Sequence, residues 1–192
     1  MTTTVPGSVP QRIHPHKFIM WVAIGGIMMM FAGLTSAYIV KKNQSSWLQF
    51  DLPIQFYYST AVIVLSSVTL FLSARAIKAG KISQYKIMLL ITAVLGIIFL
   101  LLQYLGFKEL QAKNIAIVGP KSNSAASFLF VITFLHMIHV LGGVIALIVF
   151  WVKEKSKKTT DDSLVPMEVL GTYWHFVDLL WIYLFLFYNW IG

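Results

Sequence analysis

Five apolar runs, each long enough to cross a lipid bilayer, take up most of this chain and leave it few folds to choose from. They lie at about 17–40, 55–79, 84–107, 125–152 and 171–191. A helix needs about 20 apolar residues to span a hydrocarbon core of about 30 Å. Inside that core there is no water to bond the backbone, so only helices and closed barrels are viable. No run shows the alternation, about ten residues per strand, that a barrel requires. The sequence therefore predicts an all-α polytopic bundle of five transmembrane helices, forming one domain over residues 1–192 with no internal repeat. Composition points the same way. Only 11% of residues are charged, against about 25% in soluble domains.

The net charge of +8 would suggest nucleic-acid binding in a soluble chain. Here Lys and Arg fall between the apolar runs, which is a topology signal. One side holds Arg12, Lys17, Arg75, Lys78, Lys81, Lys86, Lys153, Lys155, Lys157 and Lys158; the other holds Lys41, Lys42, Lys108, Lys113 and Lys121. The imbalance predicts a cytoplasmic N-terminus and an external C-terminus, and with the charges so placed no nucleic-acid partner is expected; the expected location is a cytoplasmic (inner) membrane. Residues 1–16 are polar and carry three prolines. The run after them exceeds the 7–15 residues of a signal h-region, so it reads as the first membrane helix. The stretch Gln44 to Ile54 is expected to lie in the interface. The stretch Lys108 to Ser124 is expected to be an external loop, and Lys153 to Asp162 a charged cytoplasmic one.

Cysteine is absent, which excludes disulfides, cysteine-ligated iron–sulfur clusters and thiolate copper sites within this chain. The informative side chains are the polar ones inside the runs, because ionisable groups at bilayer depth are expensive. His136 and His139 share a face of the fourth helix. They suit either ligation of a metal or haem, or hydrogen bonding to neighbouring helices. His175 and Asp178 repeat that spacing on the fifth. A lone buried carboxylate is costly, so Asp178 is expected to pair with a histidine or with a group on another helix. Gln103 is expected to hydrogen-bond between helices. Glu168, just before the fifth run, suits a helix N-terminus. Tyr173, Trp174, Trp181, Tyr183, Tyr188 and Trp190 are expected to anchor the ends of the fifth helix at the membrane interfaces. In the first run, Gly33 and Ala37 form a small-xxx-small pair, suited to packing within the bundle or against a partner subunit. Met28, Met29 and Met30 are consecutive, point three ways, and read as lipid contacts and core filler. From residues alone, a helical membrane subunit, a small transporter and a haem-binding membrane cytochrome with His136, His139 and His175 as ligands all stay open. No nucleophile elbow, nucleotide loop or metal set stands out, and no residue is assigned as catalytic, cofactor-binding or metal-binding.

Three stretches carry a resemblance: Phe134-Leu135-His136-Met137-Ile138-His139-Val140-Leu141-Gly142-Gly143, Tyr173-Trp174-His175-Phe176-Val177-Asp178 with Trp181, and Leu101-Leu102-Gln103. Glu168 fits the second of these, and Phe31-Ala32-Gly33 and Ala37-Tyr38 add to it. The chain resembles subunit III of the haem–copper oxidases, of the cytochrome c oxidase type. Typical members have seven helices, and this chain is similar to the last five. Two of the family's membrane carboxylates are replaced, by Ile27 and Gly106. The resemblance implies a subunit without redox centres that supports assembly, stability and proton uptake of subunit I. Haem and copper would reside in subunits I and II, and phospholipid is a further expected ligand. It also implies oxygen reduction coupled to proton pumping by the complex as a whole. Accessory subunits of quinol oxidases and nitric oxide reductases are the alternatives within the same group.

Overall fold

The computed structural model describes residues 15–43, 52–113, 115, 123–155 and 164–191. They form five helices: α1 (Pro15–Lys42), α2 (Ile54–Lys78), α3 (Ile82–Ala112), α4 (Ser124–Lys155) and α5 (Leu164–Ile191). Each is long and apolar enough to cross a membrane, and there is no strand among the described residues. Most of the expected interfacial stretch, Gln44 to Ile54, and of the charged loop, Lys153 to Asp162, lies outside the described residues, as do 114 and 116–122 of the expected external loop; Lys108 to Ala112 belongs to α3 and Lys153 to Lys155 to α4.

Several helices outrun the apolar stretches that announced them. α3 continues past Phe107 to Ala112, where Glu109 and Lys113 form an ion pair of 2.7 Å one turn apart. α5 begins at Leu164 rather than near Gly171, so Glu168 lies inside the helix and not before it. Pro166 does not prevent this, because the first four N–H groups of a helix have no intrahelical partner to lose. Hydropathy reports the length of the apolar core, while a helix continues through the headgroup region for as long as its backbone is satisfied.

Packing follows a heptad in which inward positions alternate in steps of three and four. On α2 the buried positions include Phe56, Ser59, Ile63, Ser66, Leu70, Ser73 and Ile77; on α3 they include Tyr85, Leu89, Thr92, Gly96, Phe99, Gln103, Gly106 and Leu110. This is the seam of a left-handed antiparallel pair. The turn joining the two is tight. Gly80 adopts φ 71°, its N–H bonds Ile77 O, and Lys81 N–H bonds Ala76 O, which closes the helix end in the Schellman pattern. A β-carbon is disfavoured at that φ.

α5 lies against α2 and α4, and α1 closes the bundle by touching α4 and α5 through Ile24, Phe31, Thr35 and Tyr38. At one end Lys17 and Lys78 reach Glu168, at 2.7 and 3.8 Å, and Lys86 donates to Lys155 O. At the opposite end Lys42 donates to Ile191 O. The fold thus gathers the described basic residues at the same two ends that the charge pattern assigned to the two sides of the membrane.

Candidate functional site

The most constrained region of the molecule is the seam where α5 meets α2, α3 and α4. α2 presents a ladder of small hydroxyls to its neighbours. Trp174 Nε1–H donates to Ser66 Oγ at 3.0 Å, and Trp181 Nε1–H donates to Thr60 Oγ1 at 2.9 Å. Gln103 Nε2–H donates to Ser59 Oγ at 2.8 Å, Thr69 and Thr92 hydroxyls lie 2.8 Å apart, and Ser73 donates to Tyr85 O. Apolar burial gives no driving force between helices in lipid, so such bonds and close packing must hold them.

Both tryptophans are core residues, exposed by 1% and 0%. This corrects the expectation that the α5 aromatics are interfacial anchors. Tyr188 is buried as well, and Tyr173 is only partly accessible, with its hydroxyl donating to His139 O at 2.9 Å. Tyr183 and Trp190 do face outward. An indole is amphipathic, and a hydroxyl on a facing helix satisfies its N–H as well as the interface would.

Glycines make room for these rings. A β-carbon at Gly96 would meet Trp174 Cη2 and Val144 Cγ2 at 2.7 Å, and one at Gly143 would meet Trp174 Cε3 and Cζ3 at 3.0 Å. Trp174 is thus held between a glycine of α3 and a glycine of α4. Gly106, where the family carries a carboxylate, is filled from α2: a β-carbon there would lie 2.6 Å from Phe56 Cε2. Gly33 has nothing within 4 Å of a β-carbon, so the small pair on α1 is not used by its own bundle.

The two histidines of α4, His136 and His139, make no side-chain hydrogen bond to a neighbouring helix among the described residues, contrary to one of the two readings. His136 is fully buried, stacks on Trp181 at 5.2 Å between centroids, and meets Phe31 and Phe99 edge-on. Neither ring nitrogen has a hydrogen-bond partner among the described residues. His139 places Nδ1 2.7 Å from Leu135 O of its own helix. Rings pack on three sides of His136, which suits it to filling the core rather than reaching a haem iron. Among the described residues no group of three or more His, Asp or Glu is arranged to hold a metal ion.

His175 and Asp178 share a face but are not joined to each other. His175 Nδ1 lies 2.6 Å from Ser67 Oγ. Asp178 is 3% exposed, lies near the same hydroxyl, and neither of its oxygens has a well-formed hydrogen bond. The sequence reading missed the hydroxyl ladder and Gly96. The serine heptad at 59, 66 and 73 was the available signal, and it was hidden in an apolar run.

These features describe an integral membrane bundle whose buried polar groups serve helix association, the architecture of a structural subunit. The model of the cytochrome c oxidase subunit III family matches residues 47–192. The chain is 31% identical to a probable cytochrome c oxidase subunit 3 of Nocardia farcinica, over 96% of this chain and 97% of that one. It is 30% identical to a probable cytochrome c oxidase subunit 3 of Mycobacterium tuberculosis, with the same coverage. It is also 29% identical, over 88% of its length, to the cytochrome bo(3) ubiquinol oxidase subunit 3 of Buchnera aphidicola. The chain belongs to the cytochrome c oxidase subunit III family. It is a non-catalytic subunit of a respiratory oxidase, embedded in a bacterial inner membrane and associated there with the oxidase complex.

Proposed function

We propose that this chain binds mainly oxidase subunit I, with subunit II in the same complex, and supports the assembly, stability and proton uptake of subunit I. Haem and copper then belong to those partners, and this chain contributes none. The observation that carries the reading is the family match across α2 to α5. The seam it covers is built from the most specific family string, Tyr173 to Asp178 with Trp181. The reaction of the complex is oxygen reduction coupled to proton pumping, with cytochrome c as donor. Ubiquinol is the second reading, favoured by the similarity to the Buchnera protein.

Phospholipid is the ligand that this reading assigns to the chain itself. A groove of about 420 Å³ lies between α4 and α5, lined by apolar side chains including Val149, Phe150 and Leu170, with Lys153 among them. An ammonium beside an apolar trough suits an anionic phospholipid.

The test is recovery of the tagged chain from native membranes in mild detergent, with its partners identified by mass spectrometry. Subunits I and II of an oxidase are the expected companions, and copper-ligating cysteines in subunit II would identify cytochrome c as donor. Recovery of a nitric oxide reductase, or of the chain alone, would refute the proposal.

A further inference from the structure

A cavity of about 340 Å³ opens beside the turn that joins α2 to α3, within the size range of small-molecule sites. Arg75 of α2, with Lys81 and Gln84 at the start of α3, lines it, and no carboxylate does. All three side chains are exposed, and none makes a hydrogen bond or ion pair among the described residues. By contrast, Lys17 and Lys78 at the same end reach Glu168, Lys86 donates to Lys155 O, and Lys155 Nζ lies over the Trp151 ring. The backbone around the cavity also offers donors rather than acceptors. The carbonyls of Arg75, Ala76 and Ile77 are taken by the N–H groups of Ala79, Lys81 and Gly80. The N–H groups of Ser83 and Gln84, in the first turn of α3, have no backbone acceptor. Two cations, an amide and open N–H groups together make a seat for an anion.

The depth of this seat says what carries the anion. α2 has 25 residues and is about 37 Å long, slightly more than a hydrocarbon core of about 30 Å. Arg75, three residues before its end, stands where acyl chains give way to headgroups, at the end that the charge pattern assigns to the cytoplasm. Its stem can lie along apolar surface while the guanidinium stays in the polar layer. Toward the bilayer centre the cavity is lined by Leu72 and Met88. Each begins a stripe at helical spacing, Leu72, Val68 and Leu65 on α2, and Met88, Ile91 and Leu95 on α3. Leu72, Val68, Leu65 and Ile91 are exposed, and Met88 and Leu95 partly so. On an antiparallel pair the two stripes run from the cavity side by side into the membrane, an apolar track that a soluble anion has no use for and an acyl chain fills.

We propose that this cavity binds one anionic phospholipid of the cytoplasmic leaflet, with Arg75, Lys81 and Gln84 on its phosphate and an acyl chain along the α2–α3 track. The guanidinium takes two phosphate oxygens and Lys81 supplies a point charge. A zwitterionic headgroup gains less, because its ammonium meets two cations and no carboxylate. The site lies on a different helix pair from the α4–α5 groove at Lys153, and it does not depend on which subunit this chain contacts.

The test uses the complex purified through this chain and reconstituted in phosphatidylcholine vesicles. These contain a small proportion of phosphatidylglycerol with a photoreactive diazirine on one acyl chain, and labelled residues are located by mass spectrometry. Label should collect around Leu72 and Met88, and exceed that from a diazirine phosphatidylcholine by about fivefold or more. A basic residue beside an anionic lipid contributes about fivefold in binding. Arg75→Gln and Lys81→Gln should therefore each lower the label about fivefold, and together more than about tenfold. Arg75→Lys, which keeps the charge but not the two-pronged contact, should give an intermediate value. Label around Val149 and Leu170 in the α4–α5 groove should not change, which shows that the variants fold. Excess inorganic phosphate should not displace the lipid. Equal labelling by the two lipids, or undiminished label in the double variant, overturns the inference, and displacement by phosphate overturns it in favour of a soluble-anion site. Absence of other oxidase subunits from the preparation overturns the functional proposal, while the labelling pattern of the chain still decides this one.

Discussion

Adding one methyl group at Gly96 should loosen the whole seam. A β-carbon there would sit 2.7 Å from Trp174 Cη2 on α5 and 2.7 Å from Val144 Cγ2 on α4. Carbon atoms pack best at about 3.5–4.0 Å, so one or both neighbours must retreat by about 1 Å. Trp174 has little freedom to do so. Its Nε1–H is held by Ser66 on α2, and its other ring edge already faces Gly143. Overpacking of this kind costs about 1–3 kcal/mol, offset by up to about 1 kcal/mol of improved helix propensity. The expected net loss for Gly96→Ala is about 1–2 kcal/mol. Gly25→Ala is the control, because its methyl would meet nothing within 4 Å; the same propensity term should leave it neutral or slightly more stable. The assay is reversible unfolding of the purified chain in mixed micelles with increasing denaturing detergent, followed by helicity. Trp174→Phe in the Gly96→Ala background should recover part of the loss, and a double-mutant cycle should show coupling of at least about 1 kcal/mol. If Gly96→Ala unfolds together with Gly25→Ala, within about 0.3 kcal/mol, the seam is not packed as described and the reasoning fails.

Ser66→Ala removes the acceptor of the buried Trp174 N–H and should cost about 1–3 kcal/mol in the same assay, whereas Ser66→Thr, which keeps an acceptor, should lose less. Gly106→Glu should abolish recovery of monodisperse protein, because Phe56 fills the space the longer side chain needs. Lys17→Gln should change stability by less than about 1 kcal/mol and should do so less at high salt, since Lys17 and Glu168 are both substantially exposed. Asp178→Asn should leave the isolated chain at least as stable, because it keeps the shape and removes the cost of ionising a carboxyl group that is 3% exposed; a marked fall in its unfolding midpoint would show that the chain itself needs the carboxyl group.

The number of helices, their approximate spans, the chain's membrane residence and its two-sided charge pattern were all determined by the sequence. Each depends on quantities summed over 20 residues or more, and such sums survive any detail of packing. The string from Tyr173 to Asp178 with Trp181 likewise carried the family. Tertiary structure decided what those residues do. Trp174 and Trp181 look like interfacial anchors in the sequence, because aromatic rings near helix ends are common at membrane interfaces. They became core residues because Ser66 and Thr60 on α2 stand opposite with hydroxyl oxygens that accept the indole N–H while donating to carbonyls of their own helix. His136 reads as a candidate ligand until Trp181, Phe31 and Phe99 surround it. The empty side of Gly33 and the filled side of Gly106 cannot be told apart by residue type, since what distinguishes them is the side chain of another helix. Helix formation in lipid follows from the chain's own backbone and hydropathy, but the identity of each neighbour depends on how five such helices fit together, and only their arrangement in space supplies it.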